Sequence, residues 1–497
     1  MATDHTAPRV TLVLDEALWR FPRGWRHGPR PAQVLRFARL VEMSGQLEAW
    51  SGIRCVGIGT WAEAELLRFH DQEYVATVRA LGNGHVSLLD SSTWGLRHDQ
   101  VPPFPEMHCF FWHHVAAVLT AVDAVVSGAS AHAFTPAGGY HLVRPAEARG
   151  FGVYNDVVLA LLQLREAGWR VAYVNIDARH ADTVQAAFQE EPHVLTISLH
   201  QGPEFGFPGT GHPHESGNGL AVNLPLPPGA GDAHALWAVE QVAVPLLERF
   251  APDVLLVQVG GSLHADDPVS HTRLTTRGLL AILERLEPFA PRRLAVGGHS
   301  LDVGSAARLW ALTLAHMAGH PVKEDAQLPA GYRDRWGGTT FHDPPPNSLG
   351  NDMEAYVWSY LRRAVGAAQR ALFPHHGLSV PEVVELPAGA PAETWTSSAD
   401  EELRHNGRFS LRAEPTSATR QLAQEAVVCD VTSADRRVPG RAQEPEVKPE
   451  AKERRRRRRS AGTGHAPPSA EQEREAAASR RRRRRSRGGK RRRRRRS

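Results

Sequence analysis

Cysteine is scarce in this sequence: Cys55, Cys109 and Cys429 are the only three in 497 residues, too few and too scattered for a disulfide frame. A reducing cytoplasm is therefore the expected compartment. No apolar run approaches the roughly 18 residues that a membrane helix needs, so a soluble chain with no membrane partner is expected. Met1-Ala2-Thr3-Asp4-His5 has neither the basic start nor the apolar stretch of a secretory signal. No internal repeat is present.

Residues 452–497 lack aromatic side chains altogether and hold 22 Lys and Arg against 4 Asp and Glu. The whole chain has a net charge of +5, so that surplus of 18 leaves the first 451 residues at −13. The blocks Arg454 to Arg459, Arg480 to Arg485 and Arg491 to Arg496 repel themselves and offer nothing apolar to bury, which predicts disorder. Arginine without interleaved aromatics suits phosphate backbones rather than base stacking, with contact that salt weakens. DNA or RNA is the expected partner of this tail, through residues such as Arg454, Arg459, Arg480, Arg485, Arg491 and Arg496. The plainer alternative is a solvated tail, or one folded back on the acidic body. Nucleoid or ribosome association follows from the first reading, and nuclear import if the host is eukaryotic.

With 41% hydrophobic residues the body can bury a large core. Short apolar runs alternate with amphipathic stretches, as in a parallel α/β sheet with helices on both faces. Strands are expected at Val10–Leu14, Ala131–Phe134, Val171–Ile176, Val194–Leu199, Val254–Val259 and Leu294–Val296. Helices are expected near 32–48, 112–127, 153–167, 233–249, 273–286, 304–317 and 353–372. From about Gly377 the chain turns rich in Pro, Ala, Ser and Glu. This divides it into a domain over 1–375, an irregular linker over 376–451 with at most a short helix near 399–403, and the basic tail over 452–497. Ligands of such sheets bind beyond the carboxyl ends of the strands. Asp177, Gly260-Gly261-Ser262 and Gly297-Gly298-His299 all fall there.

Five segments carry a resemblance: Gly138-Gly139-Tyr140-His141, Gly150-Phe151-Gly152-Val153-Tyr154-Asn155-Asp156, Val174 to Asp182, Phe207-Pro208-Gly209-Thr210-Gly211, and Gln258 to Pro268. In order and spacing they resemble the zinc-dependent histone deacetylases and the bacterial acetoin-utilisation proteins, over roughly residues 10–375. The resemblance implies the arginase–deacetylase fold, a zinc ion held by an Asp-x-His pair and a distant Asp, and amide hydrolysis.

At the implied zinc positions this chain has Asp177, Arg179 and Ser262. A guanidinium has no lone pair to give, and a neutral hydroxyl is a poor zinc ligand. No zinc is therefore expected, with Arg179 pairing instead with Asp177. Of the implied proton-handling groups His141 remains, but its partner position is Leu142, the supporting carboxylate is Asn175, and the oxyanion-binding tyrosine is Leu301. His180, His264 and His299 are weighed as replacement ligands against plain structural histidines. His113-His114, His212, His214 and His375-His376 read as ordinary surface or loop residues.

The surrounding shell is kept: Phe151 and Phe207 match the walls of an acyl-lysine channel, and Gly150 allows a substrate chain to approach the backbone. Both Phe are otherwise packed core. Asp177 with Ser198 resembles the family's structural potassium site, which needs oxygen donors. The expectation is thus a catalytically inactive deacetylase-like domain that binds an acyl-lysine or small molecule, with a nucleic-acid-associating tail. Two alternatives remain: a metal-dependent deacetylase of acetyl-lysine or acetylpolyamine amides with rearranged ligands, and a tail-driven nucleic-acid-compacting protein.

Overall fold

All eight strands of the sheet run parallel, in the order β2-β1-β3-β8-β7-β4-β5-β6. They are β1 Val10–Val13, β2 Ile53–Val56, β3 His132–Thr135, β4 Val171–Ile176, β5 Val194–Gln201, β6 Ala221–Leu226, β7 Val254–Val259 and β8 Arg292–Val296. This computed structural model describes residues 9–22, 30–45, 52–85, 92–96, 101–346 and 348–391. The chain divides into two units, Met1–Asp430 and Val431–Ser497, and only the first contains described residues. The expected helix near 399–403 and the arginine blocks of 452–497 lie outside them.

β4, β5 and β7 are buried along their whole length, as central strands covered by helices on both faces must be. The six expected strands are present. The two that went unforeseen, β2 and β6, are the edges of the sheet. β6 contains Pro225, which lacks a ladder donor and is tolerated at an edge.

Eleven α-helices are described: α1 Arg30–Met43, α2 Gln72–Gly82, α3 Met107–Val126, α4 Asp156–Glu166, α5 Asp182–Phe188, α6 Asp232–Ala238, α7 Val244–Phe250, α8 Thr276–Leu286, α9 Val303–Ala318, α10 Ala330–Trp336 and α11 Asn351–Leu372. The expected helix at 233–249 is divided into α6 and α7 by a wider turn at Val239–Ala243. α2, α5 and α10 were not foreseen. α3 is longer and more apolar than the sequence reading allowed: by length and composition it could cross a membrane. It is instead a core helix, its buried residues packed against α4, β1, β3 and β8.

Caps fix the helix starts around the site. Asn155 accepts from Val158 N at 3.0 Å to open α4, and Asp302 accepts from Ser305 N at 2.6 Å to open α9. The body also runs beyond residue 375, because Val384 is buried against the main core and packs at Gly366 of α11.

Candidate functional site

The loops after β3, β4, β7 and β8 meet at the carboxyl edge of the sheet, and glycine is what lets them meet. A Cβ on Gly298 would lie 2.5 Å from Gly260 Cα, and one on Gly139 would lie 2.3 Å from the Gly297 carbonyl oxygen. The β3 loop is tied down by Asp156 at the start of α4, which accepts from Gly139 N at 2.7 Å and Tyr140 N at 2.9 Å. Burial pushes that carboxyl up to about 6, partly offset by those backbone donors. Asn155 binds the carbonyls of His141 and Val143 at 3.0 and 2.8 Å, fixing the next residues.

Three buried groups converge there: His141 from the β3 loop, Asp177 from the end of β4 and His299 from the end of β8. One ligand-capable atom of each lies within 4.8 Å of those of the other two. Asp177 Oδ2 accepts from His299 N at 3.0 Å and faces His299 Nδ1 at 3.5 Å, while Oδ1 accepts from Arg179 N at 3.1 Å. His299 Nε2 binds the Gly150 carbonyl at 2.7 Å. His141 Nδ1 lies 2.7 Å from Gln258 Nε2 and 3.2 Å from the Gly139 carbonyl. Gln258 also reaches Asp177 Oδ2 at 3.4 Å and accepts from the Tyr173 hydroxyl at 2.9 Å.

Burial lowers the His141 pKa to about 4 and lowers that of His299 as well, against the pull of Asp177. Burial alone would raise Asp177, but contact with His299 and the charges of His141 and Arg179 hold its carboxyl well below the usual range. A neutral His141 titrating near 4 is a weak general base at neutral pH.

Arg179 does not pair with Asp177 as expected. Only its backbone N–H meets that carboxylate. The guanidinium lies 5.7 Å from the centre of the Phe151 ring, a cation–π contact, and acts on Asp177 by charge at longer range. Ser262 Oγ is buried and accepts from Ala178 N at 2.8 Å, so the hydroxyl serves as a backbone cap. The zinc of the implied kind does not fit this set: one position has no lone pair and the other is a neutral, engaged hydroxyl.

Leu142 is buried beneath Gly150, where a Cβ would meet Leu142 Cδ1 at 2.5 Å. The smallness of Gly150 is thus used against Leu142, and its carbonyl is taken by His299, rather than being open to a substrate chain. Leu301 is half-buried, its N–H held by Asp267 Oδ2. Phe151 is half-buried with φ of 64°. Phe207 is 46% exposed with Arg149 4.6 Å over its ring, so it is not packed core.

Ser198 and Asp177 are not brought to one oxygen cage by their side chains. Ser198 Oγ meets Asn175 Nδ2 and His200 Nδ1, each at 3.0 Å, and Asn175 Nδ2 also donates to the Arg179 carbonyl at 2.9 Å.

Both ring nitrogens of His180 are engaged, by Thr210 at 2.9 Å and Gln185 at 3.0 Å. His264 is bound to Asp343 at 2.8 Å. His114 is no surface residue: it is fully buried, its ring 4.8 Å from Phe110 and 5.7 Å from Tyr140. His212 and His214 are exposed and stacked, His375 is exposed, and His376 binds the Gly219 carbonyl at 2.8 Å.

The histone deacetylase domain matches residues 30–317, more than half of the chain. The chain belongs to the histone deacetylase family. It is 27% identical over 344 residues to the acetoin utilization protein AcuC of Staphylococcus aureus, covering 67% of this chain and 87% of that one. The Bacillus subtilis AcuC is 31% identical over 290 residues, 55% of this chain and 73% of its own. Histone deacetylase 8 of Xenopus tropicalis is 29% identical over 302 residues, 60% and 80% respectively.

Sequence reasoning gave Gln258 no role and weighed His299 only as one of several spare histidines. Gln258 had a signal: it is a polar residue inside an otherwise apolar run, β7, and so needs a partner in the core. For His299 the sequence held only its place in Gly297-Gly298-His299, after β8.

Proposed function

We propose that this deacetylase-family protein does not carry out the family's metal-dependent amide hydrolysis, and that it acts as a binding or scaffold protein. The reading is carried by the side chains at the implied zinc positions: Arg179 stacks on Phe151 and Ser262 caps Ala178 N. Leu142 and Leu301 remove further groups that hydrolysis needs, a histidine partner and an oxyanion donor. The ligand is an acyl-lysine or a small molecule, met by Phe151 with Arg179 over its ring and by the exposed Phe207.

The test is turnover of acetyl-lysine peptides and acetylpolyamines by the full chain with added zinc. No turnover is expected from the wild type. The Arg179→His, Ser262→Asp, Leu301→Tyr variant is expected to hold zinc at the family's three positions, through residues 177, 179 and 262. Zinc-dependent turnover by the wild type defeats this reading in favour of the second one, a deacetylase with rearranged ligands, which has the convergence of His141, Asp177 and His299 in its favour.

The arginine blocks of residues 452–497 supply sequence-independent contact with DNA or RNA, placing the protein in the cytoplasm on nucleoid or ribosome, or in a nucleus if the host has one. Binding of the full chain to mixed-sequence DNA and RNA should fall steeply between low and physiological salt and vanish when residues 452–497 are removed. Retained binding by the truncated chain counts against the tail, and weak binding by the isolated tail at physiological salt counts against compaction as its purpose.

A further inference from the structure

The protonation that the hydrogen bonds impose on His299 leaves one atom unexplained. A carbonyl only accepts, so the 2.7 Å contact with Gly150 puts a proton on Nε2. In the neutral ring Nδ1 then carries a lone pair, and it faces the Asp177 carboxylate at 3.5 Å with no hydrogen-bond partner of its own. Two electron-rich atoms facing one another in a buried space need a positive charge between them, supplied by a second proton or by a metal cation.

His141 presents the same feature from the other side. Its Nε2 is buried and without a hydrogen-bond partner, and it belongs to the same three-residue cluster. Its Nδ1 has the Gly139 carbonyl at 3.2 Å and the Gln258 amide at 2.7 Å. The Gly139 carbonyl only accepts, which puts a proton on Nδ1; the Gln258 amide then turns its oxygen to His141 and its nitrogen to the Tyr173 hydroxyl, giving up its 3.4 Å contact with Asp177 Oδ2 and leaving that oxygen to the ion. Nδ1 is then the donor and Nε2 a free lone pair, the tautomer in which an outer partner orients a metal-binding imidazole.

We propose that His141 Nε2, His299 Nδ1 and a carboxylate oxygen of Asp177 form a binding site for a divalent first-row transition metal ion. The site differs from the implied zinc position in two of its three ligands and uses neither Arg179 nor Ser262. Two imidazoles and one carboxylate suit borderline ions such as zinc, iron(II) or cobalt(II), and disfavour magnesium and calcium, which prefer oxygen. Metal–donor bonds of about 2 Å would draw the most distant pair of donors together from their present 4.8 Å limit. The Arg179 guanidinium lies over the Phe151 ring, 5.7 Å from its centre.

The proposal shares the pocket with the functional reading above and rests on its claim that Arg179 and Ser262 do not ligate, but the two fail separately. The experiment is a cobalt(II) titration of the untagged full chain after chelator treatment, read by visible d–d absorption. One equivalent is expected to saturate the signal. His299→Gly and His141→Ala are each expected to weaken binding at least 100-fold, and Ser262→Ala to leave it unchanged. His299→Gln, whose amide can still donate to Gly150, guards against a misfolded glycine variant and should also lose the signal, with circular dichroism confirming the fold. Absence of a saturable signal in the wild type overturns the proposal, as does a signal that survives in both histidine variants. A signal lost only in Asp177→Ala and Ser262→Ala puts the ion at the family's positions and overturns both readings. Zinc-dependent amide hydrolysis together with loss of cobalt in the His299 variants overturns the functional reading alone.

Discussion

His299 bridges two partners that the sequence sets far apart, with Nε2 on the Gly150 carbonyl and Nδ1 3.5 Å from Asp177 Oδ2. A ring in that place holds the β3, β4 and β8 loops in one arrangement.

Replacing that ring with hydrogen leaves a void and an unsatisfied carbonyl. His299→Gly is expected to cost about 2–4 kcal/mol of stability, from the lost packing against His141 and Tyr140 together with the orphaned Gly150 oxygen. Urea unfolding measures it. A midpoint within error of the wild type would mean that the ring carries no structural role.

His70 makes the fold acid-sensitive. Its Nε2 accepts from Asn155 N at 2.9 Å and its Nδ1 donates to the Pro145 carbonyl at 3.1 Å, so the buried ring has no place for a second proton. Burial lowers its pKa to about 4, opposed by the backbone contacts. An unfolded histidine protonates near 6.5, so the unfolded state binds the extra proton first. The contribution is complete above pH 6.5 and is lost as pH falls towards 4, amounting to about 3 kcal/mol. His70→Leu should be less stable at pH 7.5 yet take up about one proton fewer on unfolding at pH 5, which urea midpoints across pH 5–7.5 will read. An unchanged slope would rule His70 out as a source.

How far the sequence could be read follows from what each residue needs. Central strands such as Val171–Ile176 and Val254–Val259 declare themselves because burial on both faces demands an apolar run. Edge strands do not, and Ala221–Leu226 hides behind Asn223 and Pro225. The positions of Asp177 and Ser262 were legible because flanking motifs fix their register. Where Arg179 points was not, since a long side chain chooses between a carboxylate and an aromatic face by local geometry. Nor was the convergence of His141 with His299, which are 158 positions apart and meet only because β3 and β8 are neighbours in the sheet.

Asp343 shows that the folded body needs residues beyond the span of the domain match. Its Oδ2 accepts from His264 Nε2 and Thr276 N, each at 2.8 Å, and its Oδ1 from Arg308 Nη1 at 2.6 Å. Burial opposes its ionisation, but His264 and Arg308 hold the carboxyl well below the usual range. Asp343→Ala leaves one cation and one histidine without their anion, at an expected cost of about 2–4 kcal/mol. Thermal melts at neutral pH test this. A variant as stable as the wild type would show that the knot contributes nothing net.

Asn175 offers a test of how a cation position can be replaced by hydrogen bonds. Its amide nitrogen donates to the Arg179 carbonyl at 2.9 Å and the Ser198 hydroxyl at 3.0 Å; the hydroxyl also accepts from Ala181 N at 3.5 Å. Asn175→Asp puts a carboxylate oxygen against that carbonyl in a fully buried place, which is expected to cost roughly 2–4 kcal/mol. The same change makes the group an all-oxygen cluster with a negative charge, the donor set that a hard cation prefers. The variant should therefore regain stability as KCl replaces an equal concentration of tetramethylammonium chloride, while the wild type should respond far less. Melting temperatures in the two salts decide the matter. If the aspartate variant is as indifferent to potassium as the wild type, the Asn175 amide is an ordinary core hydrogen bond and not a substitute for an ion.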